Sequence, residues 1–446
     1  MGRFKDLFTI FVIIFMTEIN FSPAAARSLD SADVVAGNFT TQTIKSALYL
    51  IAFCILIVRW KYTVKLATKN ILIWVILLWV FASFVWSEEP SLTLRTAAGL
   101  LGTTFIALYL ASTYDYRRFA LMAAWSFLIV DILSACAIAF FPSLGISWNP
   151  YGWQGIYFTK NGLGINSLYG IILFTSLLTD KKTAKLGIIG LILSSILLLG
   201  SRSVTSLICC ACALLIWMVL QAYLNKNKPF FISLVVFFLF VCVSGMWLYL
   251  TNNAEIVISN LGKDLTFTGR TPIWEEVFYF IKQSPWLGYG YGAVWIGRDY
   301  GIGSFISNPL NYYVVNSHNG YLDMLLEIGA IGVALVLLVV ITILYKQFSN
   351  MGSSPRLKSS ELWPIVFLVT LVIYNSTEAN LLVQNSVAWV FIAFLAFAMP
   401  GINKSKNSAG RTLIASQAGC TQPGQTAHYA LNNGNYAPHA EEAGGK

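Results

Sequence analysis

Three side chains stand in local contexts suited to chemistry: His318 in "NSHNGYL", Arg202 in "LLLGSRSVTSL" and Arg270 in "TGRTPIWEEVF". The chain has three histidines. The other two, His428 and His439, fall in a polar C-terminal stretch, so His318 is the one histidine of the apolar body. An apolar run follows it, and Asn316 or Ser317 can cap the helix that run predicts. The positive end of a helix dipole disfavours an imidazolium, and a neutral imidazole is what a general base requires. A capping or interface histidine is the alternative reading.

Arg202 lies between two apolar runs with almost no loop between them. It either snorkels to a membrane interface or lines a cavity near the membrane face as an anion site. Ser201, Ser203 and Ser206 add hydroxyls beside it. Arg270 precedes a segment, 271–282, with the marks of a helix start: Thr271 as cap, Pro272 at the first position, Glu275 near the third. Ile273, Trp274, Val277, Phe278 and Ile281 give it one apolar face, which predicts an amphipathic surface helix. Arg270 then sits where backbone N–H groups attract anions, or else pairs with Glu275 or Glu276.

Weaker signals surround these three. "FTKNGLG" puts Lys160 and Asn161 at the entrance to an apolar run. Asn319 adjoins the histidine, and Trp274 belongs to the amphipathic segment. Trp148 and Trp153 either stack on sugar faces or belong to an interfacial belt. Glu378, in "YNSTEANLL", either binds a hydroxyl or is simply a polar helix end. "GYGYG" at 288–292 lacks the spacing of a dinucleotide loop. No D-x-D pattern offers a divalent-ion site, and the cysteines have neither ligand nor disulfide-framework spacing, which leaves no metal and no cofactor to expect. Cations, one neutral-capable base and no metal motif suit a phosphate- or pyrophosphate-bearing donor and an acceptor hydroxyl.

The elements that must carry these residues are predicted from composition. The 446 residues are 57% hydrophobic and 11% charged, against roughly 25% charged in soluble domains. Apolar runs long enough to cross a bilayer predict an all-α, polytopic integral membrane protein with about 12 transmembrane helices. The runs fall at 7–22, 43–59, 70–86, 92–112, 119–141, 162–179, 184–200, 203–224, 230–250, 320–345, 362–378 and 385–400. The first of them is a span or a cleaved signal-like segment. Most of the 29 lysines and arginines fall in alternate loops, which puts those loops and the N-terminus inside. The net charge of +9 is therefore a topology signal, and nucleic-acid binding is not implied. Residues 1–42 form an N-terminal segment with its outer loop, and 43–402 a membrane domain. That domain carries one long outer loop, 251–319, and 403–446 forms a disordered cytoplasmic tail.

Four segments in this order, "FTKNGLG", "GSRSVTSL", "TGRTPIWEEVFYFIKQSPWLGYGYG" and "NSHNGYLDMLLEIGAIG", resemble the O-antigen ligase / Wzy polymerase family, in particular its ExoQ-like exopolysaccharide members. The resemblance covers about 150–335. It implies a metal-independent glycosyltransferase of the bacterial inner membrane with a periplasmic active face. Such an enzyme takes glycan from a polyprenyl-pyrophosphate carrier to an acceptor hydroxyl. It implies that Arg202 and Arg270 hold the pyrophosphate and that His318 activates the acceptor. Lys160, Asn161, Asn319 and Trp274 are the expected substrate contacts. A polymerase of carrier-linked repeat units is the favoured expectation. An O-antigen ligase acting on lipid A core is the alternative, and a lipid-linked oligosaccharide flippase is the alternative of another class. Besides the carrier-linked oligosaccharide and the bilayer, flippase and chain-length or export proteins are candidate partners.

Overall fold

A computed structural model describes residues 2–19, 39–148, 151–224, 270–295, 301–353 and 361–398. The chain is a helical assembly. Its helices are α1 (Gly2–Met16), α2 (Phe39–Val58), α3 (Trp60–Ala67), α4 (Ile71–Ala82), α5 (Pro90–Thr113) and α6 (Tyr116–Phe140). They continue as α7 (Lys160–Leu177), α8 (Ala184–Ser201), α9 (Val204–Leu224), α10 (Arg270–Gln283), α11 (Ile302–Ser307), α12 (Gly320–Ser353), α13 (Trp363–Tyr374) and α14 (Val387–Phe397).

The count of crossings differs from the expectation of about twelve. Among the described residues, six helices are long and apolar enough to span a bilayer: α2, α5, α6, α8, α9 and α12. A seventh is obtained if the pair α3 and α4, bent by 86°, is one broken span. The physical reason is that an apolar run is not a helix length. Helix α13 has 12 residues and α14 has 11. At about 1.5 Å per residue each reaches roughly 18 Å, short of a hydrocarbon core of about 30 Å. All eleven residues of α14 are buried, and α13 is buried along most of its length. A helix apolar on every side belongs inside a protein as readily as in lipid, and hydropathy does not separate the two. Helix α7 has 18 residues but opens with Lys160, Asn161 and Gly162 and is almost wholly buried. The predicted run 230–250 lies outside the described residues, as do the tail and much of the predicted outer loop.

The class is not purely α either. A two-stranded antiparallel hairpin, β1 (Ile146–Trp148) with β2 (Tyr151–Trp153), pairs Ser147 with Gly152 between α6 and α7. The joint after α8 is as tight as its sequence predicts, with α8 ending at Ser201 and α9 starting at Val204.

The lipid-facing and core-facing surfaces can be read from single helices. On α8, Ile188, Ile189, Ile192, Ile196 and Leu199 are exposed, a stripe at helical spacing suited to acyl chains. The opposite side of α8 packs closely on α7. A Cβ at Gly190 would fall 2.2 Å from the Phe174 ring, so the glycine permits this approach. At the centre, Phe119 stacks on Phe394 with centroids 3.8 Å apart, and Trp363 and Phe391 pack around the pair.

Helix α12 is broken near its start. Gly329 has φ 66° and ψ −178°, a conformation reserved for glycine, and it divides a short first segment from the long remainder. The carbonyls freed at the break do not go unpaired. Leu326 O accepts from Tyr289 N at 2.8 Å and Glu327 O from Gly290 N at 2.9 Å. Ile328 O accepts from the Trp79 indole at 3.0 Å. The "GYGYG" run, excluded as a nucleotide loop, is thus the strap that docks on the break.

Candidate active site

Sequence chemistry at each helix start explains how the site is assembled. Helix α7 begins at Lys160 because Thr159 caps it, its hydroxyl accepting from Gly162 N at 3.0 Å. Helix α12 begins at Gly320 because the Asn319 side chain accepts from Tyr321 N at 3.0 Å. Arg270 is helical, within α10. Ile273 and Val277 are its buried face, whereas Phe278, expected on that face, is exposed.

Side chains from these three regions meet at one carboxylate. Glu378, in the turn after α13, accepts two of them at its Oε1 and lies near the third. Asn161 Nδ2 donates to it at 3.0 Å. Arg270 Nη2 donates to it at 3.3 Å. His318 Nδ1 lies 3.6 Å away, just beyond hydrogen-bonding range. The Arg270 guanidinium also donates to Thr377 O at 3.2 Å and to His318 O at 3.5 Å. Arg270 therefore pairs with a residue 108 positions away and not with Glu275 or Glu276 of its own helix. The N-termini of α7 and α12 add partial positive charge there, which favours anions.

The histidine is held in a defined pose. His318 has φ 54°, left-handed for a non-glycine residue, and its N–H donates to Asn316 Oδ1 at 2.9 Å. Ser317 N donates to Asp323 Oδ1 at 2.9 Å, and the Trp274 indole donates to Ser317 O at 2.8 Å. Nδ1 is buried, whereas 36% of the side chain is exposed, so the rest of the ring faces outward. Arg202, φ 51°, is another of the five described non-glycine residues with positive φ, so two of the three chemically prominent side chains sit on strained backbone.

The turn bearing Glu378 is fixed by Asn375. Its Oδ1 accepts from Asn380 N at 2.9 Å and Leu381 N at 3.1 Å, and its backbone carbonyl accepts from Gly320 N at 2.8 Å. The same residue thus sets the Glu378 loop and the opening of α12. Burial pushes the phenols of Tyr157 and Tyr291 well above their ordinary value, and both remain neutral hydroxyls.

The structure joins Arg270, His318, Asn161 and Trp274 directly. Arg202 contacts the hairpin instead. Its guanidinium lies 4.6 Å from the centroid of the Tyr151 ring in the hairpin. Gly152 is the link to Lys160, since a Cβ there would lie 2.6 Å from Ser201 O and 2.9 Å from Lys160 Cδ. Asn319 Oδ1 is engaged in capping α12. Ser201, Ser203 and Ser206 are buried, and Ser203 and Ser206 bond to each other at 3.0 Å, so they pack the α8–α9 joint against α7 and do not line an anion site. The sequence reads Glu378 as a hydroxyl ligand or a polar helix end, and the structure puts its carboxylate between Asn161 and Arg270. The signal available for it was the polar stretch "NSTEAN" between two apolar runs. Among the described residues no group of three or more His, Cys, Asp or Glu could hold a metal ion.

A multi-pass helical membrane protein with a broken span and a cation–carboxylate–histidine cluster is the class these features define. Residues 187–337, which hold Arg202, Arg270 and His318, match the O-antigen ligase family. The chain is also similar to the exopolysaccharide production protein ExoQ of Rhizobium meliloti (strain 1021), 27% identical over 305 residues, covering 63% of this chain and 67% of that protein. The match over residues 187–337 and the ExoQ-like similarity support assigning the chain to the O-antigen ligase family. The two similarities support a general polymerase or ligase role in glycan biosynthesis.

Proposed function

We propose that this protein is a glycan polymerase acting at the periplasmic face of the bacterial inner membrane. It joins oligosaccharide repeat units carried on polyprenyl pyrophosphate. The observation that carries the reading is the meeting of Arg270, Asn161 and His318 at Glu378. The acceptor hydroxyl oxygen attacks the anomeric carbon of the donor glycan. The bond from that carbon to the pyrophosphate oxygen breaks, the carrier pyrophosphate leaves, and the hydroxyl proton passes to His318. Arg270, with Arg202 and Lys160, neutralises the charge that develops on the departing oxygen. His318 Nδ1 faces inward, 3.6 Å from Glu378 Oε1, which leaves Nε2 for the acceptor. The similarity to an exopolysaccharide production protein favours polymerisation. The family match to O-antigen ligase supports transfer to a different acceptor, such as lipid A core, as the second reading.

The test is to express His318→Ala, Arg202→Ala and Arg270→Ala in a strain lacking the protein, at matched membrane levels. Polymer and carrier-linked glycans are then sized on gels. Single repeat units that accumulate without long chains support polymerisation. Long carrier-linked chains that never reach an acceptor support ligation. Unchanged polymer in all three variants defeats both.

A further inference from the structure

Ser317 and His318 present four polar backbone groups, and a side chain holds each of them. Ser317 N donates to Asp323 Oδ1 at 2.9 Å, and His318 N donates to Asn316 Oδ1 at 2.9 Å. Ser317 O accepts from the Trp274 indole at 2.8 Å, and His318 O accepts from the Arg270 guanidinium at 3.5 Å. The two successive carbonyls are thus held from one helix. Arg270 and Trp274 stand four residues apart on α10, neighbours on the same face. The Ser317 N–H is held from the opposite direction by Asp323 of α12.

Both holding groups are themselves fixed. Asp323 is buried, and its Oδ1 also accepts from the Trp295 indole at 3.1 Å. Trp274 packs against an apolar cluster that contains Trp295, Ile302 and Leu322. An indole has a single polar hydrogen. That of Trp274 is given to Ser317 O, which points to a role other than the substrate contact expected from the sequence.

The histidine requires such a hold. Its φ of 54° is left-handed, a conformation that a non-glycine residue keeps only where its surroundings over-determine it. Released to a negative φ, the residue would turn its Cα–Cβ bond and carry the imidazole away from Glu378. A general base works only within hydrogen-bond reach of the proton it takes, so its aim is part of its chemistry.

We infer that Trp274 is a positioning residue for His318: with Asp323 it clamps the Ser317 peptide and so fixes the direction of the imidazole. The inference rests on the transferase reading above. It gives helix α10 two duties, since Arg270 supplies charge for the donor's pyrophosphate while Trp274 sets the aim of the base.

The test uses the full chain in lipid nanodiscs, with His428→Gln and His439→Gln so that His318 is the one remaining imidazole. Histidine labelled with ¹³C and ¹⁵N then reports its ring alone by NMR, with no turnover needed. The parent is expected to give one set of ring signals. Trp274→Phe keeps the aromatic packing and removes only the donor, so the test does not depend on a disruptive variant folding. It is expected to split or broaden the ring signals and to lower kcat roughly tenfold or more. KM for the carrier-linked donor is expected to stay within about twofold. Asp323→Leu is expected to do the same, whereas Asp323→Asn, which keeps an acceptor oxygen, restores the single set of signals and most of kcat. Thermal melting checks that each variant is folded. Unchanged ring signals and kcat in Trp274→Phe overturn the inference. So does a raised KM at unchanged kcat, which would make Trp274 a substrate contact. An Asp323→Asn variant as impaired as Asp323→Leu would mean that Asp323 acts by charge, and overturns the clamp. Transfer that survives His318→Ala, while Trp274→Phe still disorders the ring, defeats the general-base reading and leaves the clamp standing.

Discussion

At the scale of single residues, the site depends on one oxygen atom. Glu378 Oε1 receives Asn161 and Arg270 and lies 3.6 Å from His318 Nδ1. Glu378→Gln removes the charge but keeps the shape. A general base contributes roughly 10²–10⁴ in rate, and a mis-oriented imidazole forfeits part of that factor. Steady-state kinetics on carrier-linked substrate should show kcat falling much more than KM changes. Equal changes in both would mean that Glu378 serves binding alone. The side chains of Arg270 and Glu378 are 20% and 15% exposed, so the substitution also leaves a part-buried cation without its partner. That costs less than the roughly 3–5 kcal/mol of a fully buried pair. Arg270 itself reaches three acceptors with a planar fork. A lysine is a point charge and cannot span them. Arg270→Lys should therefore fail to restore polymer in cells that carry Arg270→Ala as the reference. Full restoration would reduce Arg270 to a charge.

At the scale of elements, the broken helix is what aims the histidine. The first segment of α12 can point its capped end at Glu378 because Gly329 lets the helix stop and restart. A Cβ at Gly329 would fall 2.1 Å from Trp286 O. Gly329→Ala carries about 1–3 kcal/mol of backbone strain before that clash is counted. The expected result is a lower melting temperature in detergent together with lost transfer. A variant with wild-type melting and activity would show that the break is incidental. Gly288, φ 69°, is bound to the same junction, since a Cβ there would lie 2.6 Å from Leu326 O. The pattern predicted helix α10 and its polar start, but not its partner. Amphipathicity says which face is buried and nothing of what buries it.

At the scale of the molecule, the described site lies wholly before residue 400, and compositional reasoning assigns no chemistry to 403–446. A chain ending at residue 402 should make polymer of unchanged length at matched membrane levels. Shortened or absent polymer would give the tail a role. Sequence by itself determined the membrane class, the helical character, the tight α8–α9 joint and the short list of chemically able side chains. Each of these is local: hydropathy, capping residues and the scarcity of histidine are properties of neighbours in the chain. Tertiary structure alone decided the rest. It showed that α13 and α14 are buried core helices, because an apolar surface does not state whether protein or lipid covers it. It also brought Glu378 to Arg270 across 108 positions, because ion pairing depends on distance in space, which no spacing along the chain encodes.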